Sequence, residues 1–409
     1  MNLLIINDHG LFGGGTENRI RIFVEQLIKN KTVHEVHVLQ RVSDPREKSG
    51  KNIFFHTLRS KQSGYLAAWK IIKEHHINFV QVHNLVSIKP YVVLAAKQAH
   101  VPVVWWVHDY WLLCGYRSLI NPYRASQEKL CRKANMQRCH KCMSLKSRIK
   151  HMVWKKIMNV CDAAIAPSVI MKEIHESEDV LKGKWKIVTP WIDSLFLDNE
   201  GIKREKMPAF KKKEGEKILL FVGSLMEFKG AWVAMRSLKH VINKFPNTRL
   251  VFVGGNQEPE SRYRQDIEMM AEKEGLNKSI VFLGKKEKED LIKTYKQADI
   301  FLCPTVCMES FGQTWAEAMA CGIPVVASAI GGIPEYIEDR KTGLLFTAGD
   351  ETALAFAVIT LLTKPAYAKQ LALQGKKYVV QNCNPTQACR EILSIMQSIS
   401  QSSIRTRST

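Results

Sequence analysis

Long hydrophobic runs are missing from this chain of 409 residues. Its most apolar stretch, residues 101–107 (VPVVWWV), falls far short of the roughly 18 residues that a membrane-spanning helix needs. The start, MNLLIINDHG, has neither a basic n-region nor a small-residue cleavage site, which predicts no signal peptide. Ten cysteines are too few for a disulfide scaffold of this length. Together these features predict a reduced, cytoplasmic protein. Several motifs are absent as well. No G-x-G-x-x-G fingerprint, no Walker A loop and no D-x-D run occurs, and no helix-turn-helix, RNP or zinc-finger spacing. Acidic residues are also scarce, at 39 against 60 Lys and Arg, a formal net charge of +21. So large an excess implies an acidic partner: nucleic acid, anionic lipid or a phosphorylated substrate.

What the chain does contain is a repeated alternation. Short β-rich runs (LLIIN, EVHVLQ, NIFFHTL, FVQVHN, VPVVWWVHD, AAIAPS) fill the first half. KILLFVG, RLVFVGG, SIVFLG, DIFLCP, PVVAS and GLLF fill the second. Segments with helical apolar spacing lie between them, at residues 20–28, 66–72 and 315–319 among others. Continuous apolar strands alternating with helices predict parallel sheets covered on both faces. Two such series predict an α/β protein of two doubly wound, Rossmann-like domains. The N-terminal domain is expected over 1–190 and the second over 191–385. Residues 386–409 are expected to be a C-terminal helix and a polar, frayed tail. The charged stretch NEGIKREKMPAFKKKEGEK reads as the linker or a solvated loop.

Three loops carry candidate chemistry. In LLIINDHGLFGGGTENRI, a strand runs through Gly13, Gly14 and Gly15 into a helix, with Thr16 as the expected N-cap. A helix N-terminus with free N–H groups suits an anion, although a plain turn has the same appearance. In FVGSLMEFKG, a strand ends at Gly223 and Lys229 follows, either as a point charge for a phosphate or as an ordinary surface lysine. In PTVCMESFGQTWAEAMACGIP, a strand ends at Pro304, Glu309 sits in the loop, and a helix opens near Gly312 and closes before Gly322. Backbone N–H groups around Phe311, Gly312, Gln313 and Thr314 are then available to phosphate oxygens. Glu317, about one turn into that helix, can accept from vicinal hydroxyls, and Glu309 can hold a second sugar.

The string ESFGQTWAEAMACGIPVVAS, with Glu309 and Glu317 as E-x7-E, resembles the retaining glycosyltransferases of the GT-B fold, family 4. GGIPEYIEDRKTGLLF, GSLMEFKG and GGGTENR are similar to family motifs too, so the likeness covers nearly the whole chain. The resemblance implies a C-terminal domain that binds a nucleotide-diphosphate sugar (a UDP- or GDP-sugar) and an N-terminal domain that binds an acceptor across a cleft. It implies that Glu317 holds the ribose and Glu309 the donor sugar. Gly223, Lys229 and the N–H groups of Phe311, Gly312 and Gln313 would hold the diphosphate. Gly14 and Gly15 would approach the donor, and Gly284 and Lys285 would contact the base. His108 matches a histidine near the donor sugar. His108, Glu309 and Lys229 are thus the expected catalytic residues of a hexosyltransferase that needs no catalytic metal. One position departs from the pattern: Ser224 stands where the family usually has Arg. Unless another cation replaces it, diphosphate binding loses about 1–3 kcal/mol. The rival readings are a sugar-nucleotide epimerase on the same architecture and a basic nucleic-acid-binding protein on a disused transferase scaffold.

Two further features surround residues 114–156. Cys114, Cys131, Cys139 and Cys142 suit a structural zinc site, free thiols or disulfides. Residues 124–156 hold eleven Lys or Arg and one acidic residue, Glu128. Within them KSRIKHMVWKKIM suits an interfacial helix on an anionic membrane, or a core-packed helix with a solvated basic face. The membrane reading makes the acceptor lipid-linked, as in envelope polysaccharide assembly, and leaves no role for nucleic acid.

Overall fold

A computed structural model describes residues 1–114, 119, 143–202, 212–255 and 262–405. The chain divides into two compact units. One holds the described residues up to Trp191 together with those from Pro385 onward, and the other holds Ile192–Asn384.

In the first unit the elements run β1 (Asn2–Ile6), α1 (Gly15–Lys29), β2 (Glu35–Gln40), β3 (Ile53–Thr57), α2 (Gly64–Glu74) and β4 (Phe79–Val82). Then come α3 (Tyr91–Gln98), β5 (Val103–Trp106), α4 (Leu145–Met158), β6 (Ala163–Ala166), α5 (Val169–Ser177) and β7 (Trp185–Ile187). The second unit has α6 (Ser194–Leu197), β8 (Lys217–Val222), α7 (Ala231–Ile242), β9 (Thr248–Val253), α8 (Arg262–Lys273), β10 (Ile280–Phe282) and α9 (Lys288–Gln297). It closes with β11 (Ile300–Cys303), α10 (Gln313–Ala320), β12 (Val325–Ser328), α11 (Ile333–Tyr336), β13 (Leu344–Phe346), α12 (Glu351–Thr363) and α13 (Pro365–Asn382). Helix α14 (Pro385–Arg405) belongs to the first unit.

Both sheets are wholly parallel, ordered β3-β2-β1-β4-β5-β6-β7 and β10-β9-β8-β11-β12-β13. The twelve β-rich runs of the sequence all become strands; β7, only three residues long, lacked such a run. Side chains alternate across a strand, so each sheet builds two cores. Ile218, Leu220, Phe301 and Val325 pack on one face of the second sheet, and Leu219, Phe221, Ile300 and Val326 on the other. In the first sheet Leu3, Ile5, Val36 and Val38 meet α1 and the buried Ala388, Cys389, Ile392 and Met396 of α14. Helix α14 runs on through SISQSSIR to Arg405, and the rest of the tail expected to fray lies outside the described residues.

Each sheet has a topological switch point, where the strand order reverses from its central pair. It lies between β1 and β4 in the first unit and between β8 and β11 in the second. Loops leaving the carboxyl ends of those strands are where an open α/β sheet binds ligands.

Candidate functional site

In the second unit Lys229 and Glu309 follow the two switch-point strands, β8 and β11. Their loops are tied together by main-chain bonds. Val306 N donates to Phe228 O at 2.9 Å, and Thr305 Oγ1 donates to the same carbonyl at 3.0 Å. This sets Lys229 Nζ 2.6 Å from Glu309 Oε2. Burial alone would lower the lysine pKa, but the Glu309 carboxylate, with smaller contributions from Cys307 and Cys303, turns the net shift upward. Lys229 is therefore held as a cation.

Two glycines make this approach possible. Gly230 has φ +76°, and a Cβ there would lie 1.8 Å from Pro304 O. Gly331 has φ +59°, and a Cβ there would lie 2.3 Å from Glu309 O. Gly332 N donates to that same Glu309 oxygen at 2.8 Å. Glu309 is thus clamped through its backbone by the GGIP turn.

Helix α10 begins immediately after, with Gly312 at its N-cap and Gly322 in the left-handed region just past its end. Both glycines sit where the sequence placed them. Gly312 has no side chain with which to cap the first N–H groups of the helix. The buried Phe311 and Trp315 fix the entry to the helix: Trp315 Nε1 donates to Phe311 O at 2.6 Å, and the two rings pack 4.9 Å apart. Glu317 is buried one turn in, and Tyr295 Oη donates to its Oε2 at 3.1 Å. Burial raises its pKa to about 7, against the lowering effect of hydrogen bonds from Tyr295 and Gln313. The Asp193–Lys288 ion pair lies near enough to act on it electrostatically.

At the carboxyl ends of β8, β9 and β10 a row of glycines continues the site. Gly223 N donates to Val253 O at 3.0 Å and Gly254 N to Gly284 O at 2.9 Å. Gly254, at φ +109°, cannot carry a Cβ, which would lie 2.2 Å from Gly223 O. Lys285 follows directly. Gly254 and Tyr295 escaped the sequence reading. The GG after RLVFV was a usable signal for the first. Nothing local marks Tyr295, whose contact spans 22 residues.

The first unit holds the other predicted residues. Helix α1 starts at Gly15 with Gly14 at the N-cap, φ −89° and ψ −160°. Thr16 therefore lies inside the helix and does not cap it, a correction to the sequence reading. Glu17 does the capping instead, its Oε2 accepting from Gly14 N at 2.9 Å. Nor do Gly13, Gly14 and Gly15 take left-handed conformations; Gly10 does, at φ +41°. His108, just past β5, is buried, its Nε2 2.8 Å from Nδ1 of His83. His83 follows switch-point strand β4, and burial with Arg19 nearby lowers its pKa to about 3. His83 was missed by sequence, although its place at the end of FVQVHN was a signal. Cys114 is buried. Cys131, Cys139 and Cys142 lie outside the described residues, and with them the predicted zinc site.

The family model "Glycosyl transferases group 1" matches residues 202–378, and "Glycosyltransferase Family 4" matches 13–194. A D-inositol 3-phosphate glycosyltransferase of Corynebacterium jeikeium is 34% identical over 35% of this chain and 34% of its own length. The chain thus matches about a third of that relative. Among solved structures, Anabaena Alr3699/HepE in complex with UDP superposes with a TM-score of 0.75 at 17% identity, over 97% of this chain and 100% of that one. Sucrose-phosphate synthase of Thermosynechococcus elongatus gives 0.71 at 19% identity, over 98% and 99%. Two parallel doubly wound sheets, an E-x7-E helix at the second switch point and two matching family models agree: the chain belongs to family 4 of the GT-B glycosyltransferases.

Proposed function

We propose that this chain is a retaining hexosyltransferase that moves a sugar from a nucleotide-diphosphate sugar to a glycan or lipid-linked acceptor, forming an α-glycosidic bond. The observation that carries the reading is the Lys229–Glu309 pair at 2.6 Å, set at the switch point ahead of α10, whose N-cap is Gly312. Cation, free N–H groups and two carboxylates then converge on one loop system. A donor opens the ion pair. Lys229 and the N–H groups near Gly312 and Gln313 take the diphosphate, while Glu309 turns to a hydroxyl of the sugar. Glu317 takes the ribose hydroxyls, and the base lies by Gly284 and Lys285. The bond from the anomeric carbon to the phosphate oxygen breaks, the acceptor oxygen bonds on the same face, and the acceptor's proton passes to the leaving phosphate oxygen. Charge grows on the leaving diphosphate, where Lys229 and the helix N-terminus stabilise it. His108, in contact with His83, positions the acceptor, and Gly14 and Gly15 allow close approach. The UDP bound to Alr3699/HepE supports a uridine donor.

Helix α4 supports a membrane-bound acceptor. Leu145, Ile149, Met152 and Val153 are exposed along it. At about 3.6 residues per turn they form one stripe. Arg148 and Lys155 flank the stripe on one side, Lys146 and Lys150 on the other. A basic helix with an exposed apolar stripe suits an anionic bilayer surface. No helix among the described residues is long and apolar enough to cross a membrane. Such docking would suit surface polysaccharide or glycolipid assembly.

A calorimetry panel of UDP, GDP, ADP, CMP and their common sugars on wild type and Glu317→Ala tests the donor reading. Saturable binding of one nucleotide, lost in the variant, is expected. No binding to any of them would sink the proposal. Co-sedimentation with phosphatidylglycerol vesicles tests α4: Ile149→Glu with Met152→Glu should release the protein, and unchanged sedimentation removes the membrane claim.

A further inference from the structure

The first sheet carries a histidine cluster that sugar transfer does not use. His37 lies in β2, His56 in edge strand β3, and His75 at the C-cap of α2. Val36 and Val38 face α1 and α14, so His37 between them faces the opposite side of the sheet. In the parallel register His37 pairs with Phe54, and Leu39 with His56, so His37 and His56 share that face. One potential ligand atom from each histidine can be chosen so that all three lie within 4.8 Å of one another.

We propose that His37, His56 and His75 bind a divalent d-block cation, Zn2+ first among them, as a three-histidine site with its remaining position open to solvent. Three points of geometry carry this. First, Nδ1 of His37 lies 3.0 Å from Nε2 of His56. Zn–N bonds of about 2.0–2.1 Å in tetrahedral geometry put ligand nitrogens about 3.3 Å apart, so this pair is already close to the required spacing. His75 supplies the third nitrogen, within 4.8 Å of the other two. Second, Glu35 Oε2 lies 3.2 Å from His37 Nε2. An ionised carboxylate only accepts, so His37 Nε2 carries the proton and Nδ1 turns its lone pair toward His56. A carboxylate behind a histidine is the usual outer partner of a metal-binding imidazole. Third, His37 is fully buried while His56 and His75 are half-buried, which gives a fixed floor and an entry path. Imidazole donors favour Zn2+, Cu2+ and Ni2+ over Mg2+ or Ca2+. The bound ion would tie the edge strand β3 to β2 and to the end of α2.

Without a metal, the same short contact is a proton bond from His56 to His37, and the experiment separates the two. Full-length, tag-free protein is stripped with chelator and titrated with Zn2+ against a chromogenic competitor. Uptake of one equivalent is expected, weakened more than about tenfold in His56→Gln and in His75→Asn, and about tenfold in Glu35→Gln. Each variant is checked by circular dichroism and by UDP binding, which should stay unchanged. Co2+ should give ligand-field bands that survive Cys139→Ser with Cys142→Ser. Failure to take up metal overturns the proposal. So does uptake that both histidine variants leave intact, or a cobalt–thiolate charge-transfer band that the cysteine variants abolish along with the binding.

Discussion

The two units share one strand order at their centres and make opposite use of it. At the second switch point the loops carry charge, a lysine against a glutamate at 2.6 Å, clamped by Gly230 and Gly331 in conformations other residues resist. At the first switch point the neighbours are a turn with ordinary φ values at Gly14 and a pair of buried histidines at 2.8 Å. A diphosphate needs fixed cations and N–H groups, whereas an acceptor hydroxyl needs mainly room and a polar partner. The topology provides loops at the same place in both sheets, and residue choice decides what each can bind.

The largest expected effect is at Lys229. Lys229→Ala leaves Glu309 without its cation and, under the proposed role, removes a charge-assisted contact to the diphosphate. Nucleotide affinity should fall by about 1.5–3 kcal/mol, measured by calorimetry. A variant that binds UDP like wild type would erase the contrast between the units.

Next comes the clamp. Gly331→Ala forces a Cβ to within 2.3 Å of Glu309 O at positive φ. It should destabilise the fold by about 1–3 kcal/mol and displace Glu309. Gly215→Ala also has positive φ, at +70°, but open space around it, and should pay only the backbone strain. Gly14→Ala, whose Cβ would meet nothing nearer than 3.4 Å, should leave thermal stability within about 0.5 kcal/mol. Loss of transfer by that stable protein would assign Gly14 to ligand approach.

The pH profile is a subtler test. Burial raises the Glu317 pKa to about 7, so the folded chain holds this proton more tightly than the unfolded one. Its contribution to stability is therefore present below the unfolded value near 4.5 and is lost as pH rises to about 7. Glu317→Gln should remove that part of the slope in denaturation curves taken from pH 5 to 8. Under the proposed ribose role the ionised form is the stronger acceptor, so wild-type nucleotide affinity should rise through about pH 7, and the variant's should not.

The smallest effect is expected at Ser224. Ser224→Arg should restore a phosphate contact and tighten UDP binding several-fold. No change would mean that another cation already fills the role.

Much of this was legible in the chain because it is local. Apolar runs of four to six residues, Gly312 before a helix and Gly322 after one, and carboxylates spaced around its start depend on a few neighbouring positions. The sequence by itself therefore determined two parallel sheets, the position of α10 and the E-x7-E pair. It misplaced the cap of α1, because Thr16 and Glu17 both cap well and only the path of the glycine turn decides between them. Tertiary structure alone decided the contacts between distant residues. Lys229 meets Glu309 across 80 residues, His83 meets His108 across 25, and His37, His56 and His75 meet over 38. No periodicity encodes such meetings. They follow from which strands lie side by side, and strand order is set by the packing of helices on a sheet, to which every part of the unit contributes.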